Sequence, residues 1–247
     1  HFILFLDYRH KSSLNLNVNN FEIYYLKNNL FDRQLYFLKY RKKISTIFSL
    51  GNIPLIFTGN RYQITYNMQY FIFDSSSIMN WSKQFIWKTK SHIIKSLFWI
   101  SDSDVAVQTS AMKNLFINNL GLSSDKIFIY PVFTELKKNN FTNFRNKFIY
   151  LSSGEEYKNI DFLLDAFIIH SEKYPNSSLV LTVSKVYKKL FNRIKKLISQ
   201  GYKINNFELV DHKTAIDLLK KNFILVHSSS VESFGLVLLE ASQLGNA

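Results

Sequence analysis

At 247 residues, 47% of them hydrophobic, the chain is long enough for two modest α/β domains and too apolar to be disordered. Cysteine is absent, which excludes a disulfide framework and thiolate metal sites and suits a reducing compartment. The formal net charge of +13 attracts phosphates, nucleic acid or anionic lipid without selecting among them, and the excess is steeper up to Asn140 (17 basic, 8 acidic) than after it (14 basic, 10 acidic).

Short apolar runs alternate with longer amphipathic ones, the pattern of parallel sheets covered by helices. From the start, the sequence predicts strands near Phe2–Leu6, Glu22–Leu26, Thr46–Leu50, Tyr62–Thr65, Val105–Val107 and Ile127–Tyr130. Helices are expected near Phe31–Lys43, Ile78–Ile100 and Ser110–Asn118. No apolar run approaches the roughly 18 residues needed to span a bilayer, and Phe2–Leu6 lacks the basic flank of a signal peptide. The helix over Ile78–Ile100 has an expected core stripe through Ile78, Trp81, Phe85, Ile93 and Ile100. A second face of Trp87, Ile94 and Phe98 is flanked by Lys83, Lys88, Lys90 and Lys95. A helix packed on two sides is the preferred reading, and an aromatic stripe lying among lipid headgroups is the alternative.

Pro131–Asn146 carries Pro, Lys and Asn with weak periodicity and reads as a linker, so residues 1–140 and 141–247 are expected to form separate domains. In the second, strands are predicted at Phe148–Leu151, Leu179–Val183, Phe207–Val210 and Ile224–Val226. Helices are predicted at Asn159–Lys173, Val186–Gln200, Thr214–Lys220 and Phe234–Leu244. The fold class expected is α/β, two Rossmann-like doubly wound parallel-sheet domains facing a cleft, with both ends of the chain cut. Ligands of such sheets bind beyond the carboxyl ends of the strands.

The most informative segment begins at His227 and runs through Glu232-Ser-Phe-Gly235-Leu-Val-Leu-Leu-Glu240-Ala241. A strand ends near His227, a polar loop follows, and a helix starts near Phe234 or Gly235. First-turn amides there lack internal partners and sit at the positive end of the helix dipole, which suits a phosphate. Carboxylates are acceptors that suit sugar hydroxyls, so the hydroxyl-rich part of a ligand is the expected target of Glu232 and Glu240. By spacing alone, a helix capped by Ser233 with two solvent-facing glutamates explains the segment as well. The identity of the intervening residues decides between these readings, because this frame resembles the signature of retaining family 4 glycosyltransferases. The resemblance implies the two-Rossmann-domain arrangement called GT-B, with Glu232 near the transferred sugar, Glu240 on the ribose hydroxyls, and the amides around Ser233, Phe234, Gly235 and Leu236 on the diphosphate.

A second segment, Phe148 to Phe167, resembles the first strand, loop and helix of that family's donor domain. It implies Gly154 in the loop, Lys158 on the phosphates and Asn159 as a helix cap. The arginine common in this loop is replaced near Ser153. On the acceptor side, Gly59-Asn60-Arg61 resembles a family loop that often has a histidine where Gly59 stands, so Asn60 and Arg61 are the acceptor-side candidates. The histidines are too scattered to predict a metal site, and His227 is expected as a polar lining residue.

The resemblance implies a transferase that moves a sugar from a nucleotide diphosphate donor to an acceptor hydroxyl, in polysaccharide or glycolipid synthesis, with no metal required and no cofactor. The expected partners are the sugar nucleotide and a saccharide or lipid-linked acceptor. Charge suits a cytoplasmic protein with peripheral contact at an anionic inner membrane face. The fragment itself is expected to be weak or dead in transfer. A non-catalytic nucleotide-binding relative is the rival, kept open by Gly59 and Ser153. A nucleic-acid-binding protein rests on charge alone, and no readout motif accompanies it.

Overall fold

The computed structural model describes residues 2–7, 21–27, 29–50, 52–59, 61–74, 81–133, 135–138, 146–221 and 223–245. The chain divides into two compact units, the first of residues 1–73 and 87–131, the second of residues 74–86 and 132–247. The division after Pro131 falls at the start of the stretch read as a linker.

In the first unit, β1 (Phe2–Asp7) pairs in parallel with β2 (Phe21–Leu26). After α1 (Leu30–Tyr40) come β3 (Thr46–Ser49), β4 (Tyr62–Asn67), α2 (Trp81–Ser101, in this unit from Trp87 onward), β5 (Asp104–Val107), α3 (Ser110–Leu120) and β6 (Ile127–Ile129). β3 to β6 form a parallel sheet in chain order. Asn29 caps α1 by accepting from the Asp32 amide, and Thr109 caps α3 by accepting from Met112, each filling one of the orphan donors of a first turn. Val105, Val107 and Ile127 pack with Ile94 and Phe98 of α2 and Met112, Phe116 and Leu120 of α3.

The faces of α2 are the reverse of those expected. Ile94, Leu97 and Phe98 are buried, whereas Trp81, Phe85, Ile93 and Ile100 of the expected core stripe are exposed. The sheet accepts the narrower stripe, whose neighbours Ser91 and Ser101 are small enough to be buried with it. Ile78 lies outside the described residues. Among the described residues, no helix is long and apolar enough to cross a membrane.

The second unit runs β7 (Lys147–Tyr150), α4 (Ile160–Lys173), β8 (Ser178–Leu181), α5 (Lys188–Ser199), β9 (Ile204–Asn206), α6 (His212–Leu219), β10 (Ile224–Leu225) and α7 (Leu236–Leu244). Its sheet is parallel with the order β10-β7-β8-β9. Successive side chains of a strand point to opposite faces, and the core follows that rule. Tyr150, Leu179 and Leu181 pack with Leu164 of α4 and Ile194 of α5. Ile149 and Val180 pack with Ile216 of α6 and Ala241 of α7. The chain advances from β7 to β9 on one side and returns to the other side of β7 for β10, so a topological switch lies between β7 and β10. The loops that leave their carboxyl ends diverge there, where doubly wound sheets take ligands.

One strand is displaced from its expected place. Phe207–Val210 is not a strand; the pairing with β8 is made by Ile204–Asn206. The Asn206 side chain then continues the ladder, accepting from the Val183 amide at 2.8 Å and donating to its carbonyl at 2.9 Å. Glu208 takes a left-handed conformation at φ 58°, and Leu209 is 83% exposed. The apolar residues Phe207, Leu209 and Val210 therefore mark a loop beyond the sheet edge.

Candidate functional site

The loops after β7 and β10 are laced together by side chains of the strand ends. The Tyr150 hydroxyl donates to the Lys158 carbonyl at 2.9 Å and lies 2.9 Å from Ser229 Oγ. Ser228 Oγ donates to the same carbonyl at 2.8 Å, while the Ser230 amide donates to the Tyr157 carbonyl at 2.9 Å. Lys158 closes a short 3-10 turn, Glu156–Lys158, and Asn159 follows in a left-handed conformation at φ 50°. Asn159 occupies the cap position of α4 but makes no capping hydrogen bond through its side chain. Its contribution is the backbone turn, which asparagine tolerates better than most residues.

This lacing brings three ionisable side chains to one point. Lys158 Nζ donates to Glu232 Oε1 at 2.6 Å, and His227 Nε2 lies 3.2 Å from the same oxygen. The side chains of Lys158, Glu232 and His227 are 16%, 27% and 16% exposed, so the pair is shielded but reachable. His227 meets the Tyr150 ring edge to face. Beneath the lysine, the Tyr157 ring lies 5.0 Å from Nζ, and burial, reinforced by the charges of Glu155 and Glu232, pushes the Tyr157 hydroxyl up to about 12. Tyr157 is therefore a neutral hydroxyl across the physiological range.

Beside the Lys158 loop, Gly154 packs against Tyr187 so closely that a Cβ would fall 2.5 Å from the ring. The Tyr187 hydroxyl donates to Glu155 Oε1 at 2.7 Å, and Ser153 Oγ donates to the other oxygen of that carboxylate. Burial and the Glu155 hydrogen bond push the Tyr187 hydroxyl up to about 12. Thr182 Oγ1 accepts from the Ser152 amide at 3.0 Å, which extends the β7–β8 pairing past its last ladder bond.

α7 begins at Leu236, slightly later than expected, and its cap is Gly235 rather than Ser233. Gly235 sits at φ 68°, a conformation that L side chains rarely adopt, and makes no side-chain cap. The amides of Leu238 and Leu239 turn back onto the Gly235 carbonyl, at 2.9 and 3.3 Å. Those of Leu236 and Val237 precede any helical acceptor and stand at the positive end of the helix.

A cavity of about 480 Å³ opens at this junction. Ser152, Ser153, Thr182 and Ser184 give it a polar floor, Val186, Tyr187, Leu209 and Val210 an apolar wall, and Leu236, Val237 and Glu240 its α7 side. The solvent-facing alternative does not describe Glu240, which is 7% exposed and lies 2.7 Å from His212 Nε2. Of the donor-side residues predicted from sequence, Leu236 and Glu240 line this cavity, and Lys158 and Glu232 pair with each other. Gly154 braces the neighbouring loop, and Ser233, Phe234 and Gly235 lead into α7. His212, Tyr187 and the Leu209–Val210 wall escaped the sequence reading.

On the acceptor side, Asn60 lies outside the described residues. Arg61 is engaged by the fold: Nε donates to the carbonyls of Ile44 and Arg41 at 2.8 and 3.0 Å, Nη2 to Arg41 at 2.6 Å and Nη1 to Thr58 at 3.1 Å. Among the described residues, no three His, Asp or Glu side chains are grouped to hold a metal ion.

Residues 132–247 match the family model described as glycosyl transferases group 1, which spans both segments that carried the resemblance. Among solved structures, Anabaena Alr3699/HepE, determined with UDP-glucose, superposes with a TM-score of 0.64 at 14% identity, over 91% of this chain and 65% of that one. TarM of S. aureus gives a TM-score of 0.60 at 17% identity, over 88% and 43%. UDP-N-acetylglucosamine 2-epimerase from Rickettsia bellii gives 0.56 at 12% identity, over 98% and 69%. The chain thus spans under half the length of TarM and about two thirds that of HepE. At these identities the likeness shows the fold alone, which transferases share with an epimerase. No curated protein matches the chain.

Proposed function

We propose, from a second unit that carries the group 1 glycosyl transferase match, that this protein binds a nucleotide diphosphate sugar there and, as a whole protein, transfers the sugar to an acceptor hydroxyl with retention. The observation that carries the proposal is the junction at β10 and α7. It holds one carboxylate, Glu240, in the wall of a nucleoside-sized cavity, and another, Glu232, against a lysine at the neighbouring loop.

In this reading the base lies against Val186, Tyr187, Leu209 and Val210, and Glu240 accepts from the ribose hydroxyls. The diphosphate meets the amides of Phe234, Gly235 and Leu236, with Ser233 and Gly154 on the loops that bound it. Lys158 supplies the cation. A diphosphate offers it more negative charge than Glu232 does, so donor binding draws Lys158 from the carboxylate to the phosphates, where it offsets charge growing on the leaving group. Glu232 is then left to His227 and the hydroxyls of the transferred sugar. The amides and Lys158 carry the diphosphate without a metal. The net charge of +13 favours an acceptor displayed at an anionic surface, such as a lipid-linked saccharide on the cytoplasmic face of a membrane. A binding-only relative is the second reading, favoured by Gly59, at φ 66°, where many family members have a histidine.

Thermal unfolding of the full-length protein with a panel of sugar nucleotides tests the binding step. A ligand at a hundred times its dissociation constant stabilises by about 2.7 kcal/mol. Stabilisation followed by formation of a glycosylated acceptor supports transfer; stabilisation without any product supports the binding-only relative. The absence of any response across uridine, guanosine and adenosine diphosphate sugars would overturn both.

A further inference from the structure

We infer that His212 is a positioning residue that fixes the carboxylate plane of Glu240 and thereby sets the preference of the site for a ribose diol over a deoxygenated sugar. This rests on the reading of Glu240 as the diol-binding group. Among the described residues, His212 is the hydrogen-bond partner of that carboxylate, at 2.7 Å from Nε2 to Oε1. The terminal torsion of a glutamate is broad, so a carboxylate on a helix rotates unless a donor holds one oxygen. Two adjacent hydroxyls need two acceptor directions at once. An ionised carboxylate has about four lone-pair sites, and His212 takes one of them. The rest stay presented in one plane to the cavity that Glu240 lines.

His212 is itself firmly placed, and its side chain does nothing for the core. It is the first residue of α6, directly after Asp211, whose carboxylate caps the helix by accepting from the Thr214 amide at 2.7 Å. α6 packs on α7 through Ile216, Leu218 and Leu219 against Ala241 and Leu244, so the ring is delivered to Glu240 by a rigid pair of helices. The His212 side chain is 61% exposed while that of Glu240 is 9% exposed. An exposed ring pinned to a buried carboxylate in a cavity wall points to orientation of that carboxylate.

The test uses the full-length protein, with UDP, GDP or ADP, whichever binds most tightly, and the 2′,3′-dideoxy form of the same nucleotide, measured by calorimetry. The wild type should favour the ribonucleotide. His212→Ala should narrow that preference about ten-fold, the effect of one hydrogen bond, while leaving the dideoxy affinity unchanged. His212→Gln, which restores a side-chain N–H donor, should recover most of the preference. Equal weakening of both nucleotides by His212→Ala would show a merely structural role, and no change in either would show none; both outcomes overturn the inference. Glu240→Gln is the separate control. If it leaves the preference intact, the assignment of Glu240 to the diol has failed, and the inference falls with it; if it abolishes the preference while His212→Ala does not, only the role of His212 has failed.

Discussion

Two cations on comparable loops are held in different ways. In the first unit, Arg61 gives its guanidinium to the carbonyls of exposed Arg41, half-buried Ile44 and buried Thr58, so that drawing it away would leave the latter two carbonyls short of a partner. In the second, Lys158 rests on Glu232, a carboxylate that has His227 as a second neighbour and so retains a partner if the lysine moves away. A planar, five-donor guanidinium suits the first task and a compact ammonium on a flexible stem the second. Under the proposed function, the difference separates a cation that holds the chain from one that exchanges an internal anion for an external one.

Four substitutions break or sharpen this contrast. The largest effect is expected from Glu232→Gln in the full-length protein, which should lower the transfer rate on the order of 100-fold and leave binding of the free nucleotide diphosphate within about two-fold, because an interaction made at the reacting sugar appears in kcat. Steady-state kinetics beside calorimetry check it, and an equal loss in both would place Glu232 on the nucleotide instead. Next, Arg61→Ala should cost about 2 to 3 kcal/mol in urea unfolding with nucleotide affinity unchanged, since charge-assisted bonds to carbonyls are lost. Lys158→Ala should do the reverse, weakening nucleotide diphosphate binding about ten-fold with little change in the urea midpoint. If both variants lose stability alike, the contrast is not one of function. Smaller again is Gly154→Ala, which places a methyl against the Tyr187 ring and should cost roughly 1 to 2 kcal/mol in stability by forcing the ring to shift. A neutral result would mean that the loop between β7 and α4 yields to Tyr187 and is not braced by it.

How much of this was legible in the sequence differs between the units for physical reasons. Both four-stranded parallel sheets were visible because their strands, β9 apart, are short apolar runs bounded by polar turns. In the second unit the loops after β7 and β10 were also visible, but through the identity of the residues around Lys158 and between Glu232 and Glu240, which resemble a known family; spacing alone described a capped helix with exposed glutamates as well. The faces of α2 were not, because the helix is apolar on more than one side, and periodicity then fails to say which side meets the sheet. Phe207–Val210 misled for a related reason: three apolar residues in four read as a strand, yet Phe207 and Leu209 are exposed, and Leu209 and Val210 line a cavity beyond the sheet edge. The pairing of His212 with Glu240 spans 28 positions and depends on two helices sharing one face of the sheet, which no local pattern records. What hinted at it was the run Asp211-His212 at a helix start, where the capping aspartate fixes the direction of its neighbour.

The smallest expected effect probes that cap. The Asp211 carboxyl is held below the ordinary carboxylate range, first by the hydrogen bonds it accepts from Thr214 and then by the nearby charges of Lys213 and His212. Its folded pKa is thus lower than the unfolded value of about 3.9, so the capping contribution is fully present above about pH 4 and is lost as pH falls through the lower folded value. Asparagine caps a helix nearly as well and does not titrate in this range. Asp211→Asn should therefore unfold at nearly the wild-type temperature at pH 7, yet lose less than the wild type between about pH 4 and pH 2, where only the aspartate is being neutralised. Parallel melting curves of the two proteins across that window would reveal it. Identical acid sensitivity would show that the start of α6 is held by its packing on α7 alone, and that the ring of His212 owes its place to Ile216 and Leu219 and not to the residue before it.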